Sequence, residues 1–173
     1  MLSKKMQDAL NEQINAEMYS GYLYLAMSAH LDAMGLKGCA HWMRIQYDEE
    51  MVHAFKLFGY VQERDGEVEL KAIDKPDISF DAPLAAFQAA LEHERKVTKL
   101  INNLMDLALD ERDHASSGFL QWFVDEQVEE EASAGEIVQH LEMVADSKNG
   151  LFMIDRELGR RPAAGTGEAD SEE

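Results

Sequence analysis

Glu17, Glu50, His53, Glu94, Gln127 and Glu130 can each ligate a hard cation, and their spacing repeats. The same 33-residue interval separates Glu17 from Glu50 and Glu94 from Gln127. Each second member is followed three positions later by another ligand type, His53 and Glu130, on the same helical face. The pattern reads as two related hairpins, Glu17 with Glu50-x-x-His53 and Glu94 with Gln127-x-x-Glu130. An uncompensated buried carboxylate costs several kcal/mol, and two about 4 Å apart repel by ~4 kcal/mol even at an effective dielectric near 20. Several acids in one layer therefore share protons or hold metal. An oxygen-rich set with a single imidazole suits iron or manganese rather than a soft thiolate site. Glu50 has ligands on both sides and is placed to bridge two ions.

These residues interrupt four apolar stripes of helical period: Leu10, Ile14, Glu17, Gly21, Tyr24; Ala40, Met43, Tyr47, Glu50, Ala54, Leu57; Leu84, Phe87, Leu91, Glu94, Thr98, Ile101; and Phe123, Gln127, Glu130, Ala134, Ile137. Ser3 is the expected N-cap of a first helix running to about Ala33 and stopped by Gly35. A short turn then makes the second helix, to about Arg64, its antiparallel neighbour. Residues 65–82, with Pro76, match no helix, and Val68 and Leu70 alternate with acids in a short extended piece. A connection this long is expected as a crossover along the bundle, leaving the second and third helices parallel. Asp81 is the expected cap of the third helix, with Pro83 in its first turn. The fourth starts near Ser116, and a short fifth helix carries Leu151, Phe152, Ile154 and Leu158 up to Gly159. The expected architecture is all-α, with residues 1–159 as one domain and 160–173 as a disordered acidic tail.

Composition narrows the function. The net charge of −18, from 34 acids against 16 bases, disfavours nucleic acid and anionic membrane as partners. The single cysteine, Cys39, fits a reducing compartment, and with no apolar leader or spanning run in view the expected location is cytoplasmic. The first helix is apolar nearly all round between Met18 and Met27, which points to a second buried face against another subunit.

Taken together, Asn15-Ala16-Glu17 with Tyr24, Glu49-Glu50-x-x-His53, Glu94, and Glu126-Gln127-x-Glu129-Glu130-Glu131 resemble the ferritins, above all the non-haem ferritins of bacteria and archaea, over roughly residues 5–158. The resemblance implies a four-helix bundle with a fifth short helix, assembled as a hollow 24-subunit homo-oligomeric cage. It implies iron storage through a ferroxidase centre, where Fe2+ is oxidised by dioxygen or peroxide and deposited as ferric mineral. Glu17, Glu50 and His53 resemble the first iron site, and Glu50, Glu94 and Glu130 the second, with Gln127 beside it. Glu49, Glu126 and Glu129 resemble a third site sharing Glu130, and Tyr24 resembles the tyrosine that hydrogen-bonds or donates an electron there. Met51 stands where bacterioferritins place a haem-binding methionine, which leaves haem open, while the non-haem ligand set of the second hairpin argues against it. Ser117 and Leu120 fall where eukaryotic members carry acidic pore residues.

Other readings compete residue by residue. Glu126, Glu129 and Glu131 fit a solvated acidic face, and Tyr24 fits a core position as well as a redox one. A fixed-cofactor reading, as in bacterioferritins or carboxylate di-iron oxidoreductases, predicts Glu-x-x-His in both hairpins, where this chain has Gln127-x-x-Glu130. A metal-free interaction bundle predicts that removing Glu50 stabilises the fold and that ferrous iron has no thermal effect.

Overall fold

Ser3 accepts the N–H of Met6 on its side-chain oxygen at 3.0 Å, and the chain becomes helical at once. The computed structural model describes residues 2–144 and 146–163. Five helices follow in order: α1 (Lys4–Ala33), α2 (Lys37–Glu63), α3 (Pro83–Asp110), α4 (His114–Val144) and α5 (Lys148–Leu158). The expected all-α four-helix bundle with a long crossover and a short fifth helix is the observed fold. Among the described residues no helix is long and apolar enough to cross a membrane.

Three helix ends close in the same way, through a left-handed residue whose successor bonds back five residues. At α1 this residue is Gly35 (φ 82), and Leu36 N–H reaches the Leu31 carbonyl at 3.0 Å. At α2 and α3 the left-handed position is held by Asp65 (φ 56) and Arg112 (φ 55) without a glycine. Two expected helix starts move. Asp81 does not cap α3: the N-cap is Ala82, whose side chain can accept nothing, and Pro83 alone pre-sets the first turn. Helix α4 begins at His114, two residues early, because the Asp113 carboxylate takes the Ser116 N–H at 3.1 Å. Arg64, at the end of α2, pairs with the same carboxylate at 3.2 Å and ties the two helix ends together.

Two apolar clusters define the directions of the helices. One joins Met27 and Leu31 of α1, Cys39 to Met43 of α2, Phe87 and Ala90 of α3, and Ile137 to Leu141 of α4. The other joins Met6 to Ile14, Leu57 to Val61, Val97 to Ala108, and Leu120 with Phe123. Late α1 thus meets early α2 and early α3, so α2 and α3 run parallel and the crossover spans the bundle. Its backbone has no strand; it is held by a polar stripe on α1. Glu67 N–H donates to Gln7 Oε1, Asn11 exchanges bonds with Glu67 and Glu69 at 3.0 Å each, and Asn15 donates to the Ala72 carbonyl at 3.1 Å. Lys75, Pro76 and Ile78 line an open cavity with Tyr22, Leu25 and Ala29, and Tyr22 remains 48% exposed, so this stretch of α1 keeps uncovered apolar surface within the chain.

Helix α5 docks on α2 backbone to backbone. A Cβ added at Gly38 would fall 1.5 Å from the Asp155 carbonyl oxygen, so only glycine permits the approach. The Cys39 N–H donates to Asp155 Oδ1 at 2.9 Å beside it. Residues 161–163 follow this helix, and Arg161 is packed onto α2. The disorder expected of residues 160–173 falls, from 164 onward, outside the described residues. Leu120 is fully buried in the second cluster.

Candidate metal centre

The polar layer lies between the two apolar clusters. On α1 one cluster ends at Ile14 and the other begins at Leu23; on α2 the gap is Met43 to Leu57, on α3 Ala90 to Val97, and on α4 Phe123 to Ile137. Glu17, Glu50, His53, Glu94, Gln127 and Glu130 all fall inside that gap and all are buried. The flanking slabs supply the burial energy, on the order of 2 kcal/mol for each large apolar side chain, that lets the bundle carry a layer which by itself opposes folding.

Glu17, Glu50 and His53 bring one ligand atom each within 4.8 Å of one another. Oxygen and nitrogen donors bound at roughly 2.0–2.2 Å stand up to ~4.4 Å apart, so shifts of a few tenths of an ångström close this set on one ion. His53 Nδ1 lies 3.6 Å from Glu50 Oε2. Oε2 of both Glu17 and Glu50 is buried without a hydrogen-bond partner. An orphaned buried carboxylate oxygen is costly, and the two in this layer are relieved either by a proton shared between Glu17 and Glu50 or by a cation that both hold. The donor set therefore fits a hard divalent metal on the structure's own terms.

Glu94 is arranged differently. Tyr24 donates its hydroxyl to Glu94 Oε1, and Gln127 Nε2 donates to Oε2 at 3.1 Å. A second set that the structure brings within 4.8 Å is His53, Glu126 and Glu130, while Glu94 and Glu130 both act electrostatically on Glu50. Glu126 is half-buried and is drawn into the layer, whereas Glu129 is exposed and joins neither set. Glu49, also half-buried, is paired with Arg161 at 2.7 Å.

The electrostatics follow from this crowding. Burial, then the Glu17 and Glu94 carboxylates, raise the Glu50 carboxyl well above the ordinary range. Burial and Glu130 raise Glu94 to about 7, against the pull of Tyr24 and Gln127. Glu49 is likewise raised to about 7, mainly by burial, with the Arg161 guanidinium opposing. Burial and Glu94 raise the Tyr24 phenol well above its usual value, so it stays a donor. His93, beside Tyr24 and bonded to Ser20 Oγ at 2.8 Å, is lowered to about 4, chiefly by burial, and is a neutral neighbour.

Several residues that orient the acids lie outside the set expected from the sequence. Gln13 Nε2 donates to Glu17 Oε1 at 2.8 Å, and Gln46 Nε2 donates to Glu130 Oε2 at 2.8 Å. Both are almost fully buried. Their signal was present: each amide sits four residues before a seam acid, Gln13 before Glu17 and Gln46 before Glu50. Thr98 joins α3 to α4 by donating to Glu131 Oε1 at 2.6 Å. Trp122 stands edge-on to His53 with ring centroids 5.3 Å apart and buttresses the imidazole.

Comparison with known proteins gives a consistent result. A family model described as a ferritin-like domain matches residues 7–144. A bacterial non-heme ferritin of Bacteroides fragilis is 45% identical over 161 residues, spanning 93% of this chain and 100% of that protein. One from Staphylococcus aureus is 37% identical, spanning 93% and 97%. The crystal structure of an open pore ferritin from the archaeon Archaeoglobus fulgidus superimposes with a TM-score of 0.93 at 51% identity, covering 94% of this chain and 100% of that one.

Proposed function

The chain belongs to the ferritin-like family, in its bacterial and archaeal non-haem branch, and on that premise we propose that it is an iron-storage ferroxidase. Ferrous iron is its substrate and dioxygen or peroxide the oxidant. Two ferrous ions held side by side supply the electron pair that takes dioxygen to peroxide, and the ferric product is deposited as mineral inside a cage of many copies, 24 by family resemblance. The observation that carries this reading is the pair of orphaned oxygens, Glu17 Oε2 and Glu50 Oε2, buried in a layer of acids contributed by four helices.

Each residue has a task. Glu17, Glu50 and His53 take the first ion; Glu130, with Glu126 or Glu94, takes the second, and Glu50 lies between the two. Gln13 and Gln46 donate to one oxygen of Glu17 and of Glu130, which leaves the other oxygen of each for iron. Tyr24 holds Glu94 by its hydroxyl and gives up that proton with difficulty, so its first role is positional. Gln127 donates to Glu94, and a neutral amide in place of a second histidine favours iron that passes through over iron permanently held. The apolar clusters on both sides exclude water from the layer.

The test is anaerobic loading of metal-free protein with ferrous iron, followed by air. Fast oxidation, with retained iron far exceeding two ions per chain, is expected. Oxidation that stops at two ions per chain, with metal surviving dialysis, would refute storage and support a fixed di-metal cofactor.

A further inference from the structure

The acidic layer has a cation of its own at the rim. Gly38 and Gly159 bring the end of α5 against the start of α2, and Arg161 follows two residues later. Its guanidinium carbon lies 4.7 Å from the Trp42 ring centre. Nη2 donates to Glu49 Oε2 at 2.7 Å, and Nη1 donates to Gln46 Oε1 at 2.5 Å. Its backbone carbonyl accepts from His41 Nε2 at 2.9 Å. Arg161 is only 22% exposed in its side chain, and Glu49 27%. The same Gln46 that receives Arg161 donates to Glu130. A guanidinium on Oε1 fixes the amide flip and leaves Nε2 to face the acid.

We propose that Arg161 is a built-in counter-cation that competes with a divalent ion for Glu49 and, through Gln46, sets which oxygen of Glu130 is left for iron. The inference rests on the ferroxidase reading of the layer and adds to it how occupancy at the rim is controlled. A dication reaching Glu49 meets a charge-assisted pair already made and a positive charge already in place. It must displace the guanidinium before Glu49 can ligate it. An ion at the third position that the family resemblance implies is therefore bound more weakly than the first two, and is held only while Arg161 is turned away. That suits a position through which iron passes. Because α5 is docked by Gly38 and by the Cys39 to Asp155 bond, removing the Arg161 side chain leaves the helix in place.

The test is calorimetric titration of chelator-treated, fully assembled protein with zinc, which is redox-inert. Wild type is expected to take two ions tightly and a third weakly. R161Q is expected to tighten the third by about tenfold, a change of ~1.4 kcal/mol. In the E49Q background the same substitution is expected to change nothing, since the ligand contested is gone. A general structural role for Arg161 would not give that dependence on Glu49. Equal third-ion affinity in wild type and R161Q, or a gain that persists with E49Q, would overturn the proposal. Fewer than two tight ions in wild type would instead sink the di-metal reading itself, so the two failures are told apart.

Discussion

Replacing Glu94 with Gln removes one buried acid while keeping its shape, and the consequence depends on pH in a direction that can be worked out. Glu94 is completely buried, and its carboxyl is raised from 4.5 to about 7. A carboxyl whose pKa is higher in the folded state favours folding fully below the unfolded value. It loses that contribution as pH rises through the folded value, because the unfolded chain ionises first. The shift corresponds to about 3 kcal/mol, at 1.36 kcal/mol per pKa unit. Metal-free wild type should therefore lose about 3 kcal/mol from this group between pH 4.5 and 8, with Glu50 acting in the same direction. E94Q should lack that portion of the slope. A constant offset is expected in the variant, since the new amide offers one acceptor oxygen where Tyr24 and Gln127 donated to two, but it is common to every pH. Denaturant midpoints of chelator-treated wild type and E94Q at pH 5, 6, 7 and 8 measure the difference. Parallel curves would show that the acids are not a crowded, buried group and would refute the reasoning on which the metal site stands.

Glu50→Leu should raise the stability of metal-free protein at pH 8, because the acid most opposed by its neighbours is replaced by an apolar side chain, and should abolish stabilisation by zinc in thermal melts. Stability unchanged by the substitution and by zinc would count against both halves of that claim. Gly38→Ala should detach α5, since its Cβ would overlap the Asp155 carbonyl; protease cleavage within 148–158 and altered fluorescence of Trp42 report it. Asn11→Ala should cost about 1–3 kcal/mol by leaving the Glu67 carbonyl and Glu69 N–H without their partner, and should speed hydrogen exchange at Glu69. Arg112→Gly should stabilise by up to about 1 kcal/mol, because glycine occupies the left-handed position without the Cβ penalty; a loss in denaturant midpoint would contradict that.

The layer was legible because an acid on an apolar stripe is an anomaly that period alone exposes. Four such anomalies at matched intervals place Glu17, Glu50, Glu94 and Gln127 at one depth, with His53 and Glu130 three residues beyond the second and fourth. The crossover was legible from its length, and the end of α1 from Gly35. Contacts between helices were not. Period tells which face of a helix a residue occupies, not which donor stands opposite, so nothing in the pattern separated Glu94, held by Tyr24 and Gln127, from Glu126, which joins His53 and Glu130. The stripe of Gln7, Asn11 and Asn15 recurs every four residues, yet read alone it looks like an ordinary solvated face. Its partners are backbone atoms 56 to 60 positions away. Arg161 lay in a stretch whose composition signals disorder, and the aromatic ring and acid that hold it belong to α2.

Gly38 has an effect well beyond the place where it sits. The glycine contact itself has no group to titrate and no charge for salt to screen, so α5 keeps that part of its seat even where the neighbouring Asp155 carboxylate is protonated or screened. The guanidinium two residues past that joint can swing on and off Glu49 while its pivot stays still. Salt and acidity can then tune the swing without tuning the anchor, and the two can be altered separately by design.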